Sequence, residues 1–543
     1  MPSLKAMFKP CLLLLSILLT ACGSDDYNPL HLSGLVYCSG GAPRNFNPQI
    51  GTSSTQFNAS SLVIYNRLVE TDDQSGQILP SLAQSWQRLD NGLSYRLQLN
   101  TNVSFHTTAW FTPSRTLTAE DVKFSFDRQA NSQNPFHDSV VGEFNYYTST
   151  GFKDNLKDVV ILDDHLIEFR LYKPDSAFLY ALSMDFASIL SAEYAQLLLA
   201  QRKDESDLDN YPVGTGPFAL QKFQNHSFIR YLAHDDYFAG KPEISHLVYA
   251  ITPDSSTRYA RLVSGECDVM LDPPKSQYDL LVNNPDLNIF QKPGLNTGYI
   301  TFNTAKAPLD NVIVRRALSM AIDRKRIVAA VFGDLGTENN SLLPPSMTPF
   351  HNPQVKTPAY DPDTAKELLS KAGVTNLELE LWALPVQRSY NPNGQLMAEL
   401  IQKDLNKIGV KVKIVTYEWN TYLKKVKAGE HDLAMLGWVA DSYNATDFMT
   451  TLIGCEGIAN QTNRSAWCRE DLDRLLERAD KEPNEQAQIS MYYQAQDIIA
   501  AELPLLPIAT GQSTLVATRD VQNIKVQSLG GVSFTEVRKV RKQ

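Results

Sequence analysis

Histidine is scarce in this 543-residue chain, nine in all with none within four residues of another, so the paired ligands of a His-Glu-x-x-His zinc helix are missing. No glycine-rich loop ends in Gly-Lys-Ser/Thr and no Gly-x-Ser-x-Gly elbow occurs, which removes the P-loop and hydrolase-elbow chemistries. Basic charge is short as well. Fifty Lys and Arg against 60 Asp and Glu give a net charge of -10, without the basic surplus a nucleic-acid partner requires. No internal repeat of 20 to 50 residues and no low-complexity segment is present. What remains is ordinary globular composition, 43% hydrophobic and 20% charged, in a chain long enough for two to four domains.

The N-terminus has its own chemistry. Lys5 and Lys9 precede an apolar run from Cys11 to Leu19, nine residues where a spanning helix needs about 20, which is the pattern of an export signal. Leu19-Thr20-Ala21-Cys22 then resembles the lipobox of bacterial lipoproteins, in which Cys22 becomes the acylated N-terminus. Loss of residues 1–21 removes two lysines, so the mature net charge is -10 minus 2, or -12. Gly23 rather than Asp after the cysteine favours the inner leaflet of an outer membrane over retention on the inner one. Residues 22–34 read as a polar, aperiodic tether.

Cysteine is the second scarcity, six residues, of which Cys11 leaves with the signal and Cys22 is lipidated. The remaining Cys38, Cys267, Cys455 and Cys468 allow three pairings, with Cys455–Cys468 the natural first choice and Cys38–Cys267 its complement. A zinc site is the competing reading, although none of the four has a Cys or His two to four residues away.

Periodicity predicts a mixed α/β body. Leu93, Tyr95, Leu97 and Leu99 alternate with polar residues as a strand after an Asn91-Gly92 turn, and Thr118 with Asp121 opens a helix through Phe126 and Arg128. Asp361-Pro362 starts another helix that Gly373 ends, and Asn393 to Ile408 forms a third, followed by a strand through Val410, Val412 and Ile414. Gly214-Thr215-Gly216-Pro217-Phe218-Ala219 fits a loose dinucleotide fingerprint, but Pro217 and the absence of a following amphipathic helix make it a structural turn.

The segments 381–393 (Leu381-Trp382-Ala383-Leu384-Pro385 onward), Val415-Thr416-Tyr417-Glu418-Trp419 and Gly437-Trp438-Val439-Ala440-Asp441 resemble the extracytoplasmic solute receptors of ABC importers. That family holds dipeptide, oligopeptide, nickel and haem receptors, and the likeness is to its dipeptide branch. Leu35-Val36-Tyr37-Cys38, Asn66-Arg67-Leu68-Val69-Glu70, Leu82-Ala83-Gln84-Ser85-Trp86, Pro212-Val213-Gly214-Thr215-Gly216-Pro217-Phe218 and Arg315-Arg316-Ala317-Leu318 extend it over nearly the whole mature chain. The resemblance implies the two-lobed α/β periplasmic-binding-protein fold with a ligand cleft between the lobes. Residues 35–64, 215–293 and 511–543 would form lobe I, residues 65–214 its extra domain and residues 294–510 lobe II. It also implies the Cys38–Cys267 and Cys455–Cys468 disulfides.

The family's dipeptide receptor holds the ligand carboxylate with an Arg and the ammonium with an Asp, positions that match Arg388 and Asp441. Burying either end of a zwitterion without an opposite charge is costly, and the planar guanidinium fork suits a carboxylate. Gly437 is expected to offer backbone groups and Trp438 an aromatic wall, Tyr390 and Phe57 further walls, and Thr52, Ser53 and Ser54 contacts to the ligand main chain. After Asp441 the sequence runs Ser442-Tyr443-Asn444-Ala445-Thr446-Asp447-Phe448, without the proline usual in the family, which alters the pocket rim. The expectation is a monomeric, non-enzymatic periplasmic lipoprotein that delivers dipeptides or short peptides to a permease, with no cofactor, metal or nucleic acid. Haem is the alternative ligand within the same architecture, as in the related haem-binding branch, beside the branch that confers antimicrobial-peptide resistance. An exported peptide hydrolase and a chaperone-like envelope protein are the readings from other classes.

Overall fold

The computed structural model describes residues 33–50, 54–139, 144–440, 443–482 and 484–540, with the backbone alone at Ser54, Ser149, Asn420 and Asp447. Cys22, Thr52, Ser53 and Asp441 lie outside the described residues. Among the described residues no helix is long and apolar enough to cross a membrane.

Local signals in the sequence give the elements they should. Tyr95, Leu97 and Leu99 are buried along the strand Ser94–Leu99, and Asn91 and Gly92 before it take left-handed φ values of 54° and 92°. Thr118 and Asp121 form a reciprocal capping box at the helix Ala119–Ala130. Asp361 caps Pro362–Lys371 through the Thr364 N–H at 3.0 Å, and Asn393 caps Gly394–Lys407 through the Leu396 N–H at 3.0 Å. The Gly214–Pro217 segment is a turn into the strand Phe218–Gln224, not into a helix. A Cβ at Gly214 would sit 2.0 Å from the Ile64 carbonyl oxygen, so the glycine serves close backbone packing.

One strand organises the molecule. Leu505–Thr518 is 14 residues long and buried along nearly its whole length. Its first half pairs antiparallel with Asn296–Phe302, which in turn pairs with Leu433–Val439, then Glu378–Trp382 and Lys411–Val415. Its second half pairs with Val269–Leu271 and Leu287–Pro293, leading to Gly34–Ser39, His246–Ile251, Phe228–Ala233 and Phe218–Gln224. The changeover falls where Gln512 pairs with Pro293 and Gly511 with Gly336. A separate antiparallel sheet of four strands, Ala83–Leu89, Ser94–Leu99, Leu166–Leu171 and Leu156–Asp163, builds the extra unit of the first lobe.

Two large apolar cores follow this division. One gathers residues between Leu35 and Leu271 with Leu515 to Val537, and the other gathers Leu295 to Ala509. Each lobe thus buries its own apolar surface, the condition for one to move against the other as a body.

Cys38 pairs with Cys267 and Cys455 with Cys468, with Cα atoms 5.8 and 4.9 Å apart. This replaces the zinc reading, and among the described residues no group of three His, Cys, Asp or Glu could hold a metal ion. The first bridge ties the parallel strands Gly34–Ser39 and Val269–Leu271 across 229 residues of sequence, the second closes a separation of 13. Non-reducing peptide mapping should therefore recover these two linked fragments and no others. Breaking Cys455–Cys468 by a double Ser substitution should cost about 3 kcal/mol in denaturant unfolding, the chain-entropy value for so short a loop. Other linkages in the map, or an unchanged unfolding midpoint, would contradict the assignment.

Candidate functional site

The cleft lies between the lobes, beside the changeover of the long strand. Two cavities share it. One of about 370 Å³ is bordered by Phe57, Arg67, Asp73, Asp272, Val439 and Tyr443, among others, and one of about 480 Å³ by Asp272, Lys275, Gln387, Arg388, Pro392 and Gln512, among others. Ser389 borders both.

Arg388 sits in a tight turn. Its N–H donates to the Asn391 carbonyl and the Asn391 N–H donates back to the Arg388 carbonyl, each at 3.0 Å. The turn lies on the sheet because three strand positions carry no side chain. A Cβ at Gly298 would stand 2.1 Å from the Tyr390 carbonyl oxygen, one at Gly511 2.1 Å from the Ser389 carbonyl oxygen, and one at Gly437 2.1 Å from Cδ2 of the Tyr390 ring. Gly298 and Gly437 are direct partners in the antiparallel register, so together they open a bare patch that Tyr390 fills. Asn296 clamps the neighbouring crossover, accepting from the Gly511 N–H at 2.8 Å and donating to the Gly511 carbonyl at 3.2 Å.

The guanidinium of Arg388 is exposed, its carbon 5.2 Å from the centroid of the Trp419 ring. It donates to the Gln387 carbonyl at 3.3 Å and belongs to none of the ion pairs among the described residues. This is a cation held in place with its charge uncompensated. Burial raises the Tyr390 hydroxyl above its ordinary range while Arg388 draws it back.

Three aromatic expectations resolve differently. Phe57 is half-buried and borders the cavity, 6.2 Å from the Tyr146 ring. Tyr390 is 7% exposed and packs into the core of the second lobe, beneath the turn rather than along the cavity. Trp438 also packs against that core, and Val439 and Ala440 border the cavity in its place. The physical reason is strand alternation: with Gly437 facing Tyr390, residue 438 must face the other side.

The roof of the first cavity is a contact absent from any sequence motif. Asp73 accepts from the Tyr443 hydroxyl at 2.6 Å and the Ser528 N–H at 2.9 Å, and pairs with Lys292 at 2.5 Å, joining the extra unit to both lobes. Burial, reinforced by the Asp73 charge, pushes the Tyr443 hydroxyl well up, so it donates as a neutral phenol. Arg67 spans Asp185 at 3.5 Å and Glu70 at 3.6 Å. Burial raises the Asp185 carboxyl, with Arg67 and the Ser61 hydroxyl opposing the shift. Asp272 is open to cleft water yet enclosed by both lobes, and that enclosure lifts its carboxyl to about 6 against its bond to Thr514 and the charge of Arg258.

Residues 77–460 match the family of bacterial extracellular solute-binding proteins, family 5. The chain is 42% identical over 504 residues to the dipeptide-binding protein of Escherichia coli, covering 93% of this chain and 94% of that one. It is 42% identical over 475 residues to haem-binding protein A of Haemophilus influenzae, covering 87% and 86%. HbpA2 of Haemophilus parasuis superposes with a TM-score of 0.89 at 38% identity, covering 94% of this chain and all of that one. The dipeptide-binding protein of a Pseudoalteromonas species in complex with Met-Leu superposes at 0.76, again at 38% identity, covering 93% and 100%.

The glycine seat makes a direct prediction. Gly437→Ala forces the Tyr390 ring aside and should cost about 1–3 kcal/mol, the usual range for overpacking. In a Tyr390→Ala background the same methyl should cost nothing further, so a double-mutant cycle by thermal unfolding reads the coupling. Additive effects would mean that the ring does not depend on the missing side chain.

Proposed function

The chain belongs to the bacterial extracellular solute-binding proteins, family 5, and on that premise we propose that it captures dipeptides or short peptides and hands them to the permease of an ABC importer. The observation that carries this reading is Arg388, an exposed guanidinium without an ion-pair partner among the described residues, set on a rigid turn at the mouth between two separately packed lobes. Binding requires a partner for that charge once the lobes close and water leaves, and a peptide's terminal carboxylate supplies it with two oxygens in the plane of the fork.

In this reading Asp441 takes the ligand's ammonium, Thr52, Ser53 and Ser54 meet its main chain from the opposite lobe, and Phe57 packs against its side chains. Gly437 acts through Tyr390, positioning the turn. Two anchors of opposite charge favour a zwitterion of dipeptide length over free amino acids and longer peptides. Closure then presents to the permease a surface that only the loaded receptor has. The mature protein works as a monomer in the periplasm, held by lipid on Cys22, at the inner leaflet of the outer membrane where two membranes exist.

Haem is the second reading, favoured by the likeness to haem-binding protein A. Haem brings carboxylates without an ammonium, which separates the two. For a dipeptide, Arg388→Ala and Asp441→Ala should each weaken binding by roughly 2 to 5 kcal/mol, about 30-fold to several thousandfold. For haem, Asp441→Ala should leave binding unchanged while Arg388→Ala weakens it. Titration calorimetry of both variants with one dipeptide and with haem decides, and tight dipeptide binding that survives Asp441→Ala would overturn the assignment.

A further inference from the structure

The charges around the larger group of cleft contacts do not cancel. Among the described residues four carboxylates border the first cavity, Glu70, Asp73, Asp185 and Asp272, and one cation, Arg67. Asp73 is matched by Lys292 from outside the lining, and Arg67 is shared between Glu70 and Asp185. Counted over the described residues, four negative charges against these two positive ones leave an excess of about minus two, with the Arg258 charge acting on Asp272 from beyond ion-pair distance. Asp272 stands out because it enters none of the ion pairs among the described residues and borders both cavities. Lys275, three residues on, directs its ammonium to the Ala330 carbonyl at 2.7 Å instead.

The backbone at Asp272 is fixed. Its N–H donates to the Thr514 carbonyl on the long strand at 2.8 Å, its φ is 47°, and Pro273 and Pro274 follow. The carboxylate is therefore presented to the cleft from the first lobe, in the same cavity as Arg388 of the second.

We infer that Asp272 is a specificity residue that selects peptides carrying a Lys or Arg side chain and rejects those carrying Asp or Glu. The inference rests on the peptide reading above, in which Arg388 and Asp441 take the two ends of the ligand and leave Asp272 for its side chain. A neutral dipeptide satisfies both ends and leaves Asp272 facing a closing, drying cleft without an ion-pair partner, the charge of Arg258 lying beyond ion-pair distance. A basic side chain brings the missing cation, whereas an acidic one adds a like charge. The same excess of negative charge works against a dianion such as haem in this cavity.

Titration calorimetry with Ala-Ala, Ala-Lys, Lys-Ala, Ala-Glu and Glu-Ala tests this on the wild-type protein. At least one of the two basic dipeptides should bind about tenfold or more tighter than its acidic counterpart, with Ala-Ala between them. Asp272→Asn, which keeps size and tolerates the left-handed backbone, should erase that spread and bring all five to a common affinity at least as tight as wild-type Ala-Ala. Equal affinities across the five overturn the role of Asp272 but leave the peptide reading standing. Failure of all five to bind sinks the peptide reading itself. Equal weakening of all five by Asp272→Asn would make the residue a lobe-closing or structural contact and likewise overturn the proposal.

Discussion

Arg388 can serve the cleft only because Ser389 and Tyr390 lie closer to the sheet than any side chain would allow. Gly298, Gly437 and Gly511 come from three different strands, and each would drive a Cβ to within 2.1 Å of the turn. The turn is thereby pinned from below, with Tyr390 as the peg and the Arg388–Asn391 hydrogen bonds as the rim. A long, mobile arginine loses much of its binding energy to ordering, and a seat of this kind limits that loss. The guanidinium lies against Trp419 instead of an acid, which keeps its charge free for a ligand.

The seat also sits at the place where the lobes part. Gly511 is the last residue of the long strand to pair with the second lobe's side, and Gln512 the first to pair with Leu287–Pro293. The cleft charges are distributed accordingly: Arg388 stands on the second lobe's side, Asp272 and Arg67 on the first's, and Asp73 reaches across to Tyr443. Apolar burial, which dominates stability, falls mainly within each lobe, although Tyr180 of the extra unit packs against the second lobe's core. Contacts between lobes include polar ones, Tyr443 to Asp73 and Ser176 to Asp480, and the ring contact of Tyr180 with Phe350. A binding protein that must open and close needs that partition.

Much of this was legible in the sequence, and the reason is locality. The capping pairs Thr118–Asp121 and Asn393–Leu396, the alternation from Tyr95 to Leu99 and the turn at Gly214 are settled by residues a few positions apart, and the structure has each. The family likeness placed Arg388 at the cleft by motif. Contacts between distant parts of the chain were not legible. Asp73 and Tyr443 are 370 positions apart, and neither falls in a motif suggesting that they meet. Trp438 read as a wall because it follows Gly437 in a striking motif position, yet strand alternation turns it to the core and leaves the cavity to Val439. A strand assignment across 433–439, with Gly437 recognised as a seat, would have shown this. Asp272 carries no motif at all, and its importance emerges only from counting which charges around the cavity lack partners.

If the cleft holds its ligand by opposite charges at the two ends, a zwitterion should stay bound through native purification. Native mass spectrometry of the protein, purified from its own cells without denaturant, with fragmentation of whatever is released, tests it most directly. Short peptides with free amino and carboxyl termini, one per protein molecule, are the expected release. Haem as the retained ligand, or peptides blocked at either terminus, would contradict it.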